Sequence, residues 1–264
     1  MKTGVPIPLK STIQELMQLD VLGSFSLGGG TNLVLKYNHR LSTDIDLFSH
    51  NIVGKEALID IKENLISIFP ESSFFIHNKE NEQLSWLTGV LVNDTYRVKI
   101  DIVQNLKLLK APNYEDGIRF IDDLDIASLK LETMAGRGSR KDLYDLVLLT
   151  DKYDINDIFD LYVERNTRFN TEKDLNIFNA SGSGISTQLT NDLGKLINFN
   201  NTKDRSNSSN QIVLTKSSPF ALDSFINICK LWESRVETLS KNRNIKLTPQ
   251  KSIPARRKKR GFGF

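Results

Sequence analysis

Two short segments near the N-terminus carry residues that could do phosphate chemistry. Three consecutive glycines at positions 28–30 precede Thr31, and an Asp-Ile-Asp sequence occupies positions 44–46. An Asp-x-Asp pattern on a strand places both carboxylates on one face, because side chains alternate along a strand. Two such carboxylates repel each other unless a cation lies between them, and hard oxygen ligands suit Mg²⁺. We therefore expect Asp44 and Asp46 to bind a metal.

The glycine run adds a candidate phosphate site beside that metal. Glycines let a backbone approach a phosphate closely, and Thr31 is placed to cap a helix beginning at residue 32. Phosphate at a helix N-terminus beside a carboxylate-bound metal is typical of nucleotidyl transfer. Each pattern alone more often marks a turn or a solvated loop, and the short spacing between them favours a functional site.

A third carboxylate is expected on another strand. Residues 96–103 alternate between apolar and polar side chains, which places Asp101 on the polar face beside Lys99. Asp101 is either a third metal ligand or a surface carboxylate paired with Lys99. Residues 85–92 and 95–103 are predicted to form a hairpin around the turn residues Asn93 and Asp94.

These residues also carry a family resemblance. Residues 25–48 resemble the first motif of the AbiEii/AbiGii toxin nucleotidyltransferases, which belong to the DNA polymerase β-like nucleotidyltransferase superfamily. Gly28 stands where the family often has a lysine. The positions that match the motif are Gly29, Gly30, Thr31, Arg40, Ser42, Asp44 and Asp46.

Residues 130–145 are similar to a second family segment that contains a lysine, an arginine and a Lys-Asp-x-x-Asp sequence. The resemblance implies that Lys130 and Arg137 bind phosphate and that Asp142 is an active-site carboxylate. The sequence leaves a structural alternative open, since Ser139 and Asp142 have the spacing of a capping box at a helix start. The resemblance covers roughly residues 10 to 165.

The resemblance implies a Mg²⁺- or Mn²⁺-dependent enzyme that transfers an NMP from an NTP to an acceptor, with RNA such as a tRNA end as the expected acceptor and an antitoxin as the expected partner. The expected metal ligands are Asp44, Asp46 and Asp101. The expected catalytic set adds Lys130 and Asp142 to those three. The expected nucleotide-binding residues are Gly29, Gly30, Thr31, Arg40, Ser42 and Arg137. For Arg40 and Ser42 the alternative is a purely structural role in orienting the loop that leads to Asp44.

Two other functions remain open at this stage. One is a transferase of the same superfamily with a protein or small-molecule acceptor, and the other is a module that binds RNA or a protein without catalysis. Retention of all three carboxylates favours an enzyme over the module. The three histidines share no metal-ligand spacing with each other or with Cys229, which argues against zinc.

Composition predicts a cytoplasmic protein with a polarised charge. The single cysteine fits a reducing compartment, and we see neither a signal peptide nor an apolar run of membrane-spanning length. Residues 241–264 carry nine basic residues and no acidic ones, whereas residues 1–240 carry 26 basic against 32 acidic residues. This basic end is either an arm for nucleic acid or an acidic partner, or a solubilising tail.

The order of apolar patterns predicts an α/β (α+β) fold with a small mixed sheet and flanking helices, followed by a helical subdomain. We expect a catalytic domain over residues 1–122, a helical subdomain over 123–169 and a flexible polar linker over 170–218, with a possible turn of helix near residues 189–199. A helix over 219–240 and the basic tail over 241–264 would follow. Asp125 is expected to cap the first helix of the subdomain, and residues 118–121 to form an edge strand.

Overall fold

A computed structural model describes residues 4–178, 189–203 and 206–249 of the chain. Within these residues the chain forms a seven-stranded mixed sheet and seven α-helices, which confirms the predicted α+β class. The strands are β1 (Phe25–Leu27), β2 (Ile45–Ser49), β3 (Ser73–His77), β4 (Trp86–Asn93), β5 (Tyr96–Val103), β6 (Asn113–Glu115) and β7 (Ile118–Phe120). The helices are α1 (Ile7–Leu16), α2 (Gly29–Tyr37), α3 (Gly54–Ile68), α4 (Asp123–Gly136), α5 (Arg140–Lys152), α6 (Ile155–Arg168) and α7 (Phe225–Arg243).

The sheet has the strand order β3-β4-β5-β2-β1-β7-β6. The central pair β2 and β5 is parallel, as is the pair β1 and β7, and the other neighbours are antiparallel. The parallel pairing sets the carboxylate-bearing strands β2 and β5 side by side. This is the feature of the fold that builds the candidate site.

The two faces of the sheet have different environments. Apolar side chains of β2 and β5, such as Ile45, Leu47 and Ile100, form one core with α1 and α3. A second core joins α4, α5, α6 and α7. Because side chains alternate along a strand, Asp46 and Asp101 lie on the face opposite to α1 and α3.

Several predicted boundaries are wrong by a few residues. The hairpin loop is Asp94 and Thr95, because Asn93 still pairs with Tyr96. Strand β7 is internal, since β6 pairs with it and forms the edge. The cap of α4 is Asp122, whose side chain accepts a hydrogen bond from the Leu124 N–H.

Within the segment 170–218, the possible turn of helix near residues 189–199 is present as a 3-10 helix over Leu193–Ile197. Leu189, Leu193, Leu196 and Phe199 are buried in the helical core, and the Trp232 indole donates a hydrogen bond of 2.8 Å to the Leu196 carbonyl. The apolar residues of this polar segment are few, but all four reach one core, which compensates for the low average hydrophobicity. Residues 179–188 and 204–205 of the predicted linker lie outside the described residues.

The basic end is partly structured. Helix α7 runs to Arg243, and that side chain forms an ion pair of 2.6 Å with Asp160. The backbone then continues to residue 249, with the Thr248 N–H donating to the Asp192 carboxylate. Residues 250–264, which hold six of the nine cations, lie outside the described residues, so the nucleic-acid arm stays a prediction. Of the helices in the described ranges, none is long and apolar enough to cross a bilayer.

Candidate active site

The glycine turn opens α2 three residues earlier than predicted. Gly28 is the N-cap residue and Gly29 the first helical residue, so the predicted capping role of Thr31 is wrong. The buried Thr31 hydroxyl instead donates a hydrogen bond to the Asp44 carbonyl and lies 2.9 Å from Ser42 Oγ. These contacts tie the loop before β2 to the first turn of α2. They give Thr31 and Ser42 a role in positioning Asp44.

The two central glycines are required by close contacts with charged side chains. Gly29 has φ of +60°, and a Cβ atom there would lie 2.0 Å from Asp46 Oδ2. At Gly30 a Cβ atom would lie 2.1 Å from Arg40 Nη2. Any other residue would displace the carboxylate or the guanidinium, because such distances are shorter than a van der Waals contact. The turn is therefore built around Asp46 and Arg40.

The candidate metal ligands gather on neighbouring strands. Asp46 on β2 and Asp101 on β5 are register partners, and Asp44 precedes Asp46 on the same face by alternation. Burial, followed by the charges of Asp101 and Asp44, raises the pKa of Asp46 to about 6. Asp46 is thus repelled by both neighbouring carboxylates on the face of the sheet opposite to α1 and α3.

Asp101 has two partners, as one reading of the sequence predicted. Its Oδ1 accepts a hydrogen bond of 2.6 Å from Thr88 Oγ1, and its Oδ2 forms an ion pair with Lys99. The Lys99 side chain is 57% exposed, which leaves it free to move away from the carboxylate. Its pairing with Lys99 is therefore compatible with metal binding, and that role for Asp101 stays a prediction.

The donor set fits a hard divalent cation, although the ligands are not drawn together. Within residues 4–178, 189–203 and 206–249, no three His, Cys, Asp or Glu side chains converge into a metal-binding group. Mutual repulsion and the Lys99 pair account for this, since both keep carboxylates apart. All three donors are oxygens, as Mg²⁺ and Mn²⁺ prefer, and a cation between them would offset the repulsion that raises the pKa of Asp46.

Asp142 lies in a buried cluster at the junction of α4 and α5. Its Oδ1 accepts hydrogen bonds from Lys130 Nζ (2.8 Å) and Arg137 Nη2 (2.9 Å), and its Oδ2 accepts from Arg137 Nε (2.7 Å) and Ser139 Oγ (2.6 Å). Ser139 also caps α5 through the Asp142 N–H. Burial alone would raise the pKa of Asp142, but Lys130 and Arg137 hold it well below its usual range. With both oxygens saturated, Asp142 positions the two cations.

Asp145, one turn further along α5, was missing from the predicted site. Both of its oxygens accept from Arg40, at 2.7 Å and 2.8 Å, and it also contacts His39 and Lys130, each at 2.8 Å. Arg40, predicted to bind nucleotide, is only 2% exposed and joins the loop before β2 to α5. The available signal was the i, i+3 spacing of Asp142 and Asp145 on one helix.

Two cations at the junction of α4 and α5 interact electrostatically with the carboxylates of the sheet. Arg137 has a side chain that is 57% exposed and interacts electrostatically with Asp46. Lys141, which was also missing from the predicted site, is half-buried at the start of α5 and interacts with Asp44. Burial, and next the charge of Arg40, lowers the pKa of Lys141. Arg137 and Lys141 are thus the cations of this region best placed to meet a phosphate.

Two comparisons connect this arrangement to known proteins. The family model described as nucleotidyl transferase AbiEii toxin, Type IV TA system, matches residues 14–204. An uncharacterized protein from Aquifex aeolicus (strain VF5) is 31% identical over 155 residues, which make up 54% of this chain and 66% of that relative. The match therefore spans just under two thirds of the relative's length. The family model covers the candidate site from Gly28 to Asp145.

Proposed function

Because this chain belongs to the AbiEii family of nucleotidyl transferase toxins, we propose that it transfers an NMP from an NTP to an RNA acceptor, such as a tRNA end, with Mg²⁺ or Mn²⁺ as its cofactor. The observation that carries the proposal is the register pair of Asp46 and Asp101, whose mutual repulsion helps to raise the pKa of Asp46 although Lys130 and Lys99 act to lower it. Anionic ligands that repel each other, with cations nearby, suit a metal-bound triphosphate.

In this reaction the acceptor hydroxyl oxygen forms a bond to the α-phosphorus of the NTP. The bond from that phosphorus to the bridging oxygen of the β-phosphate breaks, pyrophosphate leaves with the bonding electron pair, and the hydroxyl proton passes to solvent water. Asp44, Asp46 and Asp101 would hold the divalent cation, which supplies Lewis-acid polarisation of the phosphate and lowers the pKa of the hydroxyl.

The remaining side chains of the site would position the NTP and neutralise the charge of its phosphates. Arg137 and Lys141 would contact the phosphates, where cations stabilise the charge that develops as pyrophosphate departs. Lys130 is held by Asp142 and Asp145, and its positive charge acts to lower the pKa of Asp46. The φ of +60° at Gly29 keeps the start of α2 against Asp46, so that phosphates bound there would meet the positive end of the helix.

The biological setting follows from the family. A Type IV toxin–antitoxin assignment indicates an antitoxin partner, and we propose that a cognate antitoxin restrains this activity. The acceptor is recognised by surfaces away from the metal ligands, so a protein or small-molecule acceptor is the alternative that an experiment must separate.

The test is incubation of the protein with each labelled NTP, Mg²⁺ and either total cellular RNA or total cellular protein. We expect label in RNA, none in protein, and loss of labelling when Mg²⁺ is chelated. Asp46→Asn is the matched inactive control, because it removes one charge with little change in volume. Label in protein would reject the RNA acceptor, and no label in any fraction would reject the transferase.

A further inference from the structure

The row of residues that contains the candidate metal ligands continues across the sheet to an exposed aromatic ring. Asp46 pairs in register with Asp101, Asp101 with Thr88, and Thr88 with Phe75. Register partners share one face of a sheet, so all four side chains lie on the face opposite to α1 and α3. With neighbouring strands about 4.8 Å apart, Phe75 lies about 14 Å from Asp46 along this row.

A second row adds two more rings to the same face. His77 and Trp86 are register partners two residues along from Phe75 and Thr88. Their rings stack with centroids 4.0 Å apart at an interplanar angle of 10°, and the Phe75 ring meets His77 edge-on at 4.7 Å. The three rings form one aromatic patch, and Phe75 is 62% exposed.

Lys79 borders this aromatic patch, with its Nζ 5.9 Å from the centroid of the Trp86 ring. Two further exposed cations, Lys99 and Arg97, lie on the same face two and four residues along β5 from Asp101, on the side away from His77 and Trp86. Exposed rings beside Lys and Arg are the pattern used to bind single-stranded nucleic acid, in which bases stack on aromatics while cations follow the phosphates.

An edge strand is an unfavourable place for such a ring without a ligand. Strand β3 is the outermost strand of the sheet, and an exposed apolar side chain on an edge promotes association with other chains. On the opposite face of β3 the aromatic side chain is packed, since Phe74 is buried in the core with α1 and α3. Packing within the described residues thus accounts for Phe74, but gives no reason for the exposed Phe75.

We infer that Phe75, His77 and Trp86 form a stacking platform for unpaired bases of the RNA acceptor, next to its reactive end. This inference rests on the proposed function and specifies how the acceptor is held. At about 3.4 Å for each stacked nucleotide, the distance from Asp46 to Phe75 corresponds to about four nucleotides. The acceptor would therefore need a single-stranded end rather than a fully paired one.

Tryptophan fluorescence gives a readout that does not depend on activity. The chain has two tryptophans, and Trp232 is fully buried in the helical core, so quenching by RNA reports on Trp86. The probes are a short single-stranded oligoribonucleotide and an abasic strand of equal length and charge, without NTP or metal. We expect quenching by the first and none by the second, because only bases can stack.

The matched variants are Phe75→Ala, Phe75→Tyr and Tyr114→Ala. Tyr114 is 66% exposed on β6 at the opposite edge of the sheet and serves as the control for loss of an exposed ring. We expect Phe75→Ala to weaken oligoribonucleotide binding by about 5- to 150-fold, the range typical of one stacked base. Phe75→Tyr and Tyr114→Ala should bind as the wild type does, and Phe75→Ala should bind the abasic strand normally.

Two binding results would overturn the platform: equal quenching by the abasic strand, or equal loss of affinity in Phe75→Ala and Tyr114→Ala. Failure of the proposed function gives a different result. In that case Mg²⁺-dependent NTP binding and transfer are absent in the wild type, whatever the fluorescence shows. Transfer to RNA that proceeds with the same KM in Phe75→Ala would reject the platform and leave the proposed function intact.

Discussion

The carboxylates of β2 and β5 and those of α5 lie close together but in opposite electrostatic settings. On the sheet, Asp46 has like charges as neighbours, and its pKa rises to about 6. On α5, Asp145 is fully buried, yet Arg40 and Lys130 hold its pKa well below the usual value despite that burial. The compensated carboxylate Asp145 joins the loop before β2 to α5, whereas the repulsion that raises the pKa of Asp46 makes it a candidate for binding a cation.

Asp145→Asn should have the largest effect on folding. The change leaves the buried cations Arg40 and Lys130 without their shared partner, and breaking such a buried network costs about 3–5 kcal/mol of unfolding free energy. Urea unfolding at pH 7 measures this. Asp151→Asn is the control, because Asp151 lies on the same helix in an exposed pair with Arg235 and should cost less than about 1 kcal/mol.

The same network predicts sensitivity to acid. The lowered pKa of Asp145 means that its contribution to stability is present above the unfolded pKa of about 3.9 and is lost as the pH falls below it. Equal urea midpoints for Asp145→Asn and Asp151→Asn would show that the junction does not need this carboxylate.

Arg137→Ala should reduce transfer by about 10²-fold, because the exposed guanidinium faces Asp46 and can stabilise phosphate charge. Stability should fall by only about 1 kcal/mol, since Lys130 and Ser139 still satisfy Asp142. Initial rates and melting curves measured on one preparation separate the two effects. Unchanged transfer rates would mean that Arg137 acts only in the contacts at the junction of α4 and α5.

Asp46→Asn should stabilise the metal-free protein. The raised pKa means that the charged form disfavours folding, so wild-type stability falls as the pH rises through about 6. The rise in the pKa of Asp46 corresponds to at most about 3 kcal/mol of unfolding free energy. Partial exposure of the side chain reduces the stability expected to be gained by Asp46→Asn to about 1–2 kcal/mol at pH 8. The gain should vanish below pH 4. Urea unfolding in EDTA across this range checks the sign, and a loss of stability at pH 8 would contradict it.

Ser139→Ala should have the smallest effect. Loss of a helix cap costs about 1 kcal/mol, and Ser224→Ala, which removes the cap of α7, should cost the same. Asp142 retains Lys130 and Arg137 in the Ser139 variant, so transfer should change by no more than a few-fold. A loss of transfer near that of Arg137→Ala would give Ser139 a direct part in the site.

The sequence was most informative where the causes are local. Alternation along residues 96–103 placed Asp101 on the polar face, and the spacing from Ser139 to Asp142 predicted the start of α5 correctly. The Asp145 network escaped prediction because Arg40 and Asp145 are 105 residues apart. Contacts of that kind depend on how two cores dock, and no periodicity in the chain encodes them.

The polar segment 170–218 shows a related limit. Its composition predicted a flexible chain except for a possible turn of helix near residues 189–199, and composition gave no sign that Leu189, Leu193 and Leu196 of that turn are buried in the helical core, because burial depends on which residues face the core. The Thr31 cap failed because a helix can begin on glycines, whose N–H groups a bound phosphate can satisfy in place of a side chain.

Calorimetric titration of an NTP into the wild type and into Asp46→Asn, with and without Mg²⁺, tests the central claim most directly. If the carboxylates of β2 and β5 are the cation site, the wild type should show Mg²⁺-dependent affinity, and Asp46→Asn should lose about 10²-fold or more of it while remaining folded. Mg²⁺-dependent NTP binding of equal strength in both proteins would contradict the account and remove Asp46 from the site.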